Sequence, residues 1–407
     1  MIKNFSIYFL TNLITKFLIF YLFLYSSHII TTEEYGIIGY SLTIIGFLGA
    51  ITSLGLSSLV FTHFHNLSEE LVNKLKQNIY GIFIFNFIIV NLLLFIFWIF
   101  YGKYYENSNY ILLIISLSNF LNFFAQIHIN ELRLKNKIMT LSKLTLLTTL
   151  IFCILAFIFM KSSFLVLSMQ VLIIGLIFCI VFFKDFKNIK FKNLDFSILR
   201  ISMPIMMTSL VGVLGLVVDK TMISYYLSLS DLGVYEISLK FAQMYDTLIA
   251  QVITLVYLPW MINKLKNDYK KYFNLNIFYS FVLAFFSALI VYIIPDFIWN
   301  FIANLVGDDF FASIQYIRYL IYYFILFLLL TMLNIIFIYN KNTKFIFFSS
   351  IVILTSNIIF NFYFIPKYGI IGSIISSNLS IFCGIIYILV LYLKKEGQGL
   401  NDNKIIE

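Results

Sequence analysis

Seven ionisable side chains stand inside otherwise apolar sequence: Lys16, Asp219, Lys220, Glu236, Lys240, Asp246 and Arg318. An ionised group in hydrocarbon is unfavourable by a few kcal/mol, so each needs a partner, a water-filled path or a ligand. On a helical wheel Glu236, Lys240, Gln243, Thr247, Gln251 and Thr254 fall within an arc of about 80°, which makes one face of their helix polar for most of its length. Asp246 sits beside that stripe. Turned to lipid the stripe would be unfavourable, so it predicts either partner helices or an aqueous cavity. The charges admit a structural reading too. Glu236 and Lys240 have the favourable i, i+4 order for an ion pair, and Asp219 with Lys220 can complete a neutral cluster across a short turn. Lys16 and Arg318 have no partner close in sequence, which suits them to an anionic group. A second stripe, Asn119, Asn122, Gln126, Asn130 and Arg133, fits either a cavity or interhelical hydrogen bonding.

The elements that must carry these residues are membrane helices. The 407 residues are 61% hydrophobic and 12% charged, too few charges to cover a water-soluble surface. Apolar stretches of about 20 residues recur from end to end, near 5–28, 36–61, 78–100, 108–131, 139–160, 164–183, 198–226, 232–259, 274–295, 311–339, 344–365 and 370–393. These runs are longer than β-barrel strands and lack their alternation. The expected fold is an all-α integral membrane protein of about twelve spans. The first span carries Lys16 at its middle and no small-x-small cleavage pattern after it, so it reads as a retained helix.

The net charge of +9 does not point to nucleic acid, because the basic residues follow alternate loops. With the N-terminus inside, the inner segments hold nearly all of them, including Arg133 to Lys143 and Lys184 to Arg200. The outer loops hold only Lys103, Lys161 and Lys367. The asymmetry predicts both termini in the cytoplasm. Cys153, Cys179 and Cys383 form no close pair, and His63 with His65 lacks the further ligands a metal site needs. No metal or cofactor is expected. Neither a glycine-rich phosphate loop, nor paired loop carboxylates, nor a nucleophile elbow appears, so catalysis is not expected either.

Dividing the chain at its basic segment gives an N-terminal six-helix bundle (1–183), a cytoplasmic linker (184–197), a C-terminal six-helix bundle (198–393) and a cytoplasmic tail (394–407). The halves share a local pattern: Glu34-Tyr35-Gly36 with Ser41-Leu42, and Asp231-Leu232-Gly233 with Ser238-Leu239 at the same offset. Six spans per half make the repeats insert in one orientation. Gly212-x-x-Gly215 is compatible with close helix packing, and Pro204, Pro259, Pro295 and Pro366 with bends near span ends.

Four stretches carry a family resemblance: Thr32-Glu33-Glu34-Tyr35-Gly36; Met203-Pro204 with Val218-Asp219-Lys220-Thr221-Met222-Ile223; Asp231-Leu232-Gly233-Val234-Tyr235 continuing to Lys240; and Ile365-Pro366-Lys367-Tyr368-Gly369-Ile370-Ile371-Gly372. In this order and at these helices they resemble the polysaccharide-exporter branch of the multidrug/oligosaccharidyl-lipid/polysaccharide flippase superfamily, the Wzx-type O-antigen and capsule flippases. Lys220 stands where that family often has Arg, a point charge in place of a bidentate fork. The resemblance implies a MATE-like fold of two bundles in the bacterial cytoplasmic (inner) membrane. It also implies alternating-access transfer of a polyprenyl-diphosphate-linked oligosaccharide to the outer leaflet. Lys16, Lys220, Lys240 and Arg318 would then bind the diphosphate, Gln243 and Gln251 the sugars, and Asp219, Glu236 and Asp246 would couple ion movement or pair structurally. The implied partners are the lipid-linked substrate, membrane lipids and other polysaccharide-assembly proteins. A multidrug exporter of the same superfamily and a membrane glycan polymerase are the alternatives.

Overall fold

The computed structural model describes residues 2–57, 69–101, 108–135, 137–181, 194–294, 299–301, 304–340 and 342–397. Among these every regular element is helical, and the chain divides into two compact units, Met1–Val217 and Val218–Glu407. His63, His65, Pro295, most of the expected linker and the end of the tail lie outside the described residues.

The first unit holds α1 (Ile2–Ser26), α2 (Thr32–Ser53), α3 (Glu69–Tyr101), α4 (Ser108–Leu134), α5 (Ile138–Phe159) and α6 (Gln170–Val181), the last entered through a 3-10 turn at Phe164–Met169. It also holds most of α7 (Leu199–Tyr226). Helix α1 packs on α5, and α4 on both α2 and α6. Thr31 and Glu34 form a reciprocal capping box that starts α2, with the Glu34 carboxylate accepting from the Thr31 amide at 2.9 Å. Two side-chain amides satisfy carbonyls at the far end of α2: Asn86 donates to Ile51 and Thr52, and Asn130 to Ser57. Gly55, at φ +69°, turns the chain where an added Cβ would stand 2.6 Å from the Ser202 carbonyl.

The second unit holds the end of α7, then α8 (Leu229–Tyr245), a π-helical turn (Asp246–Ala250), α9 (Gln251–Asn267), α10 (Tyr269–Ile293), α11 (Ile314–Tyr339), α12 (Thr343–Tyr368) and α13 (Ile370–Gly397). Helix α11 packs on α8, α10 and α13, and α12 pairs closely with α13. Ser228 caps α8, accepting from the Asp231 amide at 3.0 Å. Gly369, at φ +60°, ends α12, and three residues later Gly372 lets α13 approach so closely that a Cβ would fall 2.2 Å from the Phe364 carbonyl. The Pro-x-Tyr-Gly segment is thus the corner of a tight helical hairpin.

Nine helices among the described residues are long and apolar enough to cross a membrane. The three expected spans missing from that set are those with Lys16, with Asp219 and Lys220, and with Glu236 and Lys240. The first is represented there by a shorter apolar helix, Leu10–Ser26; the other two carry the charges of Asp219 and Lys220 and of Glu236 and Lys240, and the π turn interrupts the last.

Two expectations need correction. Gly212 and Gly215 do not serve close packing, since nothing lies within 4 Å of a Cβ added at either. Nor is the eighth span one straight α-helix. Tyr245 and Ala250 are both buried, five residues apart, positions that an α-helix would set roughly 140° from each other. A π turn stacks them instead, and its extra residue sets back everything beyond by about 100°. The polar stripe is therefore broken: Thr254 does not continue the face of Glu236, Lys240 and Gln243. The Thr254 hydroxyl donates to the Ala250 carbonyl at 2.8 Å.

Candidate functional site

The last turns of α7 bring Asp219 and Lys220 into the interior of the second unit, against α8, α12 and α13. Asp219 is buried and accepts three hydrogen bonds: from Asn361 at 2.6 Å and Asn357 at 3.0 Å on one oxygen, and from the Ser377 hydroxyl at 2.9 Å on the other. Asn361 also donates to the Asn357 carbonyl oxygen at 3.1 Å, so the two amides, one helical turn apart on α12, act as one cradle. Three neutral donors hold the carboxylate, and Lys220 lies within electrostatic reach of it.

Lys220 points to α8, where its Nζ lies 2.5 Å from a Glu236 carboxylate oxygen; the two side chains are 6% and 2% exposed. Lys240, one turn beyond Glu236, is half-buried and within electrostatic reach of both Glu236 and Lys220. The partner of Glu236 expected from local spacing was Lys240. Tertiary packing adds Lys220 to it, because the end of α7 lies beside α8. Two acids and two lysines thus form a cluster of zero formal charge in the second unit, with Tyr323 of α11 within reach of Asp219 and Asp246.

The remaining expected residues are distributed elsewhere. Arg318 lies over the ring of buried Trp299, its guanidinium carbon 5.0 Å from the ring centroid, a cation–π contact. Gln243 is half-buried on α8, and Asp246 half-buried at the start of the π turn. Gln251 begins α9, and its side chain lies outside the described residues. Lys16 is half-buried near the middle of α1 in the first unit.

The α4 stripe divides. Asn119 is buried against Gly49, and Asn130 is bonded to Ser57, which is interhelical adhesion. Gln126, bonded to Asn122, and Arg133 are exposed. A second ionic group lies in the first unit: half-buried Glu131 of α4 joins buried Lys76 of α3 and, at 2.6 Å, exposed Lys135.

Asn357, Asn361 and Ser377 were not foreseen. Two amides at i, i+4 within a lipid-length apolar run, followed by a last span rich in serine, were the available signal.

Residues 1–265 match the family described as polysaccharide biosynthesis protein. A search of curated proteins finds no match. Among solved structures, the chain is similar to the lipid II flippase MurJ in an inward closed conformation, at TM-score 0.72 and 20% identity over 95% of this chain and 87% of that one. It is also similar to an inward-facing multidrug resistance MATE family transporter of the MOP superfamily, at TM-score 0.62 and 13% identity over 95% and 96%. A mutant form of the Vibrio cholerae MATE transporter VcmN gives 0.57 and 14% over 97% and 99%. At such identities the shared property is the fold.

Proposed function

Because the chain belongs to the polysaccharide biosynthesis protein family, we propose that it is a membrane flippase that carries a polyprenyl-diphosphate-linked oligosaccharide, an O-antigen or capsule repeat unit, to the outer leaflet. The observation that carries this reading is the pair of lysines, buried Lys220 and half-buried Lys240, set with their acids inside one half of a transporter-like fold. Ammonium groups kept away from water are costly scaffolding but apt ligands for a diphosphate.

In this reading Lys16, Lys220, Lys240 and Arg318 serve the diphosphate, and Gln243 and Gln251 the sugars. Asp219, in its amide cradle, is the group whose occupancy by a proton or cation couples transport to an ion gradient, with Glu236 and Asp246 as its acidic neighbours. The two six-helix halves, 1–183 and 198–393, alternate access by rocking. The excess of Lys and Arg on one set of loops sets both termini in the cytoplasm of a bacterial cell, with the chain in its inner membrane. Assembly enzymes that supply or consume the lipid-linked unit are the expected partners.

Depletion of the protein, followed by analysis of lipid-linked intermediates, tests the reading. A flippase leaves completed oligosaccharide-lipid trapped at the inner leaflet. Single units already outside would instead identify a polymerase. The likeness to MATE transporters keeps a multidrug exporter as the second reading; resistance to cationic dyes upon expression, with no trapped intermediate upon depletion, would replace the first with it.

A further inference from the structure

We propose that Glu236 is an exchangeable counter-anion, which occupies Lys220 and Lys240 while no ligand is present and yields them to the diphosphate of an isoprenoid-linked substrate. This rests on the flippase reading for the identity of the ligand, and on the following geometry for the rest.

Glu236 acts on two lysines. Its direct contact is Lys220 at 2.5 Å, and Lys240 lies one helical turn along α8, within electrostatic reach of both. Asp219 is engaged differently: its two oxygens accept from Asn357, Asn361 and Ser377, with Lys220 within electrostatic reach and not in its hydrogen-bond cradle. Without Glu236 the two ammonium groups, within electrostatic reach of each other, would lose the carboxylate that Lys220 contacts, an arrangement that favours a polyanion.

The fold does not require the acid. The capping motifs Thr31–Glu34 and Ser228–Asp231 put the halves in register, and the serines that follow bear this out: Ser41 donates to the Ile37 carbonyl and Ser238 to that of Val234, each four residues back and each buried. In that register Gly39 stands where the second half has Glu236, and buried Phe23 where it has Lys220. The first half thus builds the same helix pair with no ion pair at these positions.

Glu236 therefore keeps two lysines neutralised inside a helical bundle when the site is empty. A diphosphate carries more than one negative charge and displaces a single carboxylate; when it departs, the carboxylate returns and speeds release. Glu236 acts through the lysines and is a positioning residue.

The test uses the full-length protein in nanodiscs and measures binding of geranyl diphosphate, with geraniol as the uncharged control. Glu236→Gln should bind geranyl diphosphate about tenfold more tightly than the native protein. Adding Lys220→Gln should remove that gain, and geraniol should bind all three alike. In vesicle transport assays E236Q should lower KM and kcat together. A folded E236Q that binds the diphosphate no more tightly than the native protein overturns the proposal. Where E236Q does not fold, Glu236→Asp loosens the pair by one methylene; unchanged diphosphate affinity in a folded E236D overturns it equally. A chain that shows the affinity gain but leaves no trapped intermediate upon depletion refutes the flippase reading and keeps the counter-anion. The reverse result refutes the counter-anion alone.

Discussion

The first two helices of each half are built alike and filled differently. Helices α2 and α8 both start at a hydroxyl cap answered by an acid three residues on, and both bury a serine bonded to the carbonyl four residues back. Between these shared points α1 and α2 carry Leu22, Phe23, Gly39 and Thr43, whereas α7 and α8 carry Asp219, Lys220, Glu236 and Lys240. Leu22 and Phe23 are buried among apolar neighbours, with the Phe23 ring edge-on to Tyr35 at 6.1 Å. Replacing a buried ion pair by well-packed apolar residues is often neutral or favourable, so stability alone gives no reason for the charges of the second half. The same helix pair serves as scaffold in one half and as a charged site in the other.

The largest effect is expected from breaking that site on one side only. Lys220→Met leaves Glu236 without its direct contact and should lower stability by about 3–5 kcal/mol, with export lost. Importing the residues of the first half, as the double change K220F/E236G, should recover most of that stability without recovering export. Thermal unfolding of the purified variants, set beside complementation of a depleted strain, measures both. Export by the double variant would show that the two halves differ in ornament only.

Much of this was legible in the sequence and some was not, for reasons that differ by residue. The twelve spans and the capped starts of α2 and α8 are local properties of hydropathy and short motifs, which is why they could be read. Asp219, Lys220, Glu236 and Lys240 could be singled out because an ionisable group in apolar sequence is conspicuous. The meeting of Lys220 with Glu236 was within reach too, as the cluster expected across a short turn, but the cradle of Asp219 was not: that carboxylate meets Asn357, Asn361 and Ser377 from more than a hundred positions away, which no local spacing encodes. The π turn also escaped, because it answers a packing demand, the joint burial of Tyr245 and Ala250, and not a preference of the five residues that form it. Arg318 was read as a cation awaiting an anion; Trp299, which it stacks upon, lies in another element.

A smaller effect distinguishes two glycines, one from each compact unit. Gly372→Ala drives a Cβ against the Phe364 carbonyl, backbone against backbone, and should lower stability by about 1–3 kcal/mol by forcing α12 and α13 apart. Gly212→Ala in the first unit meets open space and should leave stability unchanged or slightly raised, since alanine favours the helix. Equal losses from both changes, in thermal unfolding, would mean that Gly212 is packed after all.

The smallest effect concerns how α7 is held at its start, by neutral groups where its end is held by charged ones. Asn78 of α3 bonds the backbone of Asp195 in both directions: its amide donates to the Asp195 carbonyl at 2.8 Å, and its oxygen accepts from the Asp195 amide at 2.9 Å. The Asp195 side chain in turn caps the short turn that leads into α7. Hydrogen bonds from the Ser197 side chain and backbone hold this exposed carboxylate below the usual Asp range. A carboxyl depressed on folding adds stability that is fully present above its unfolded pKa and is lost as pH falls through the lower, folded value. The native protein should therefore lose a little more stability between neutral and acid pH than Asp195→Asn, which keeps a capping oxygen but does not titrate. Asn78→Ala, by contrast, should lower stability by about 0.5–1.5 kcal/mol at every pH, because the bonds it removes are to backbone groups. Unfolding midpoints taken across the acid range separate the two. If Asp195→Asn follows the native curve throughout, the cap contributes nothing through its charge, and α7 is fixed at its start by the Asn78 clamp alone.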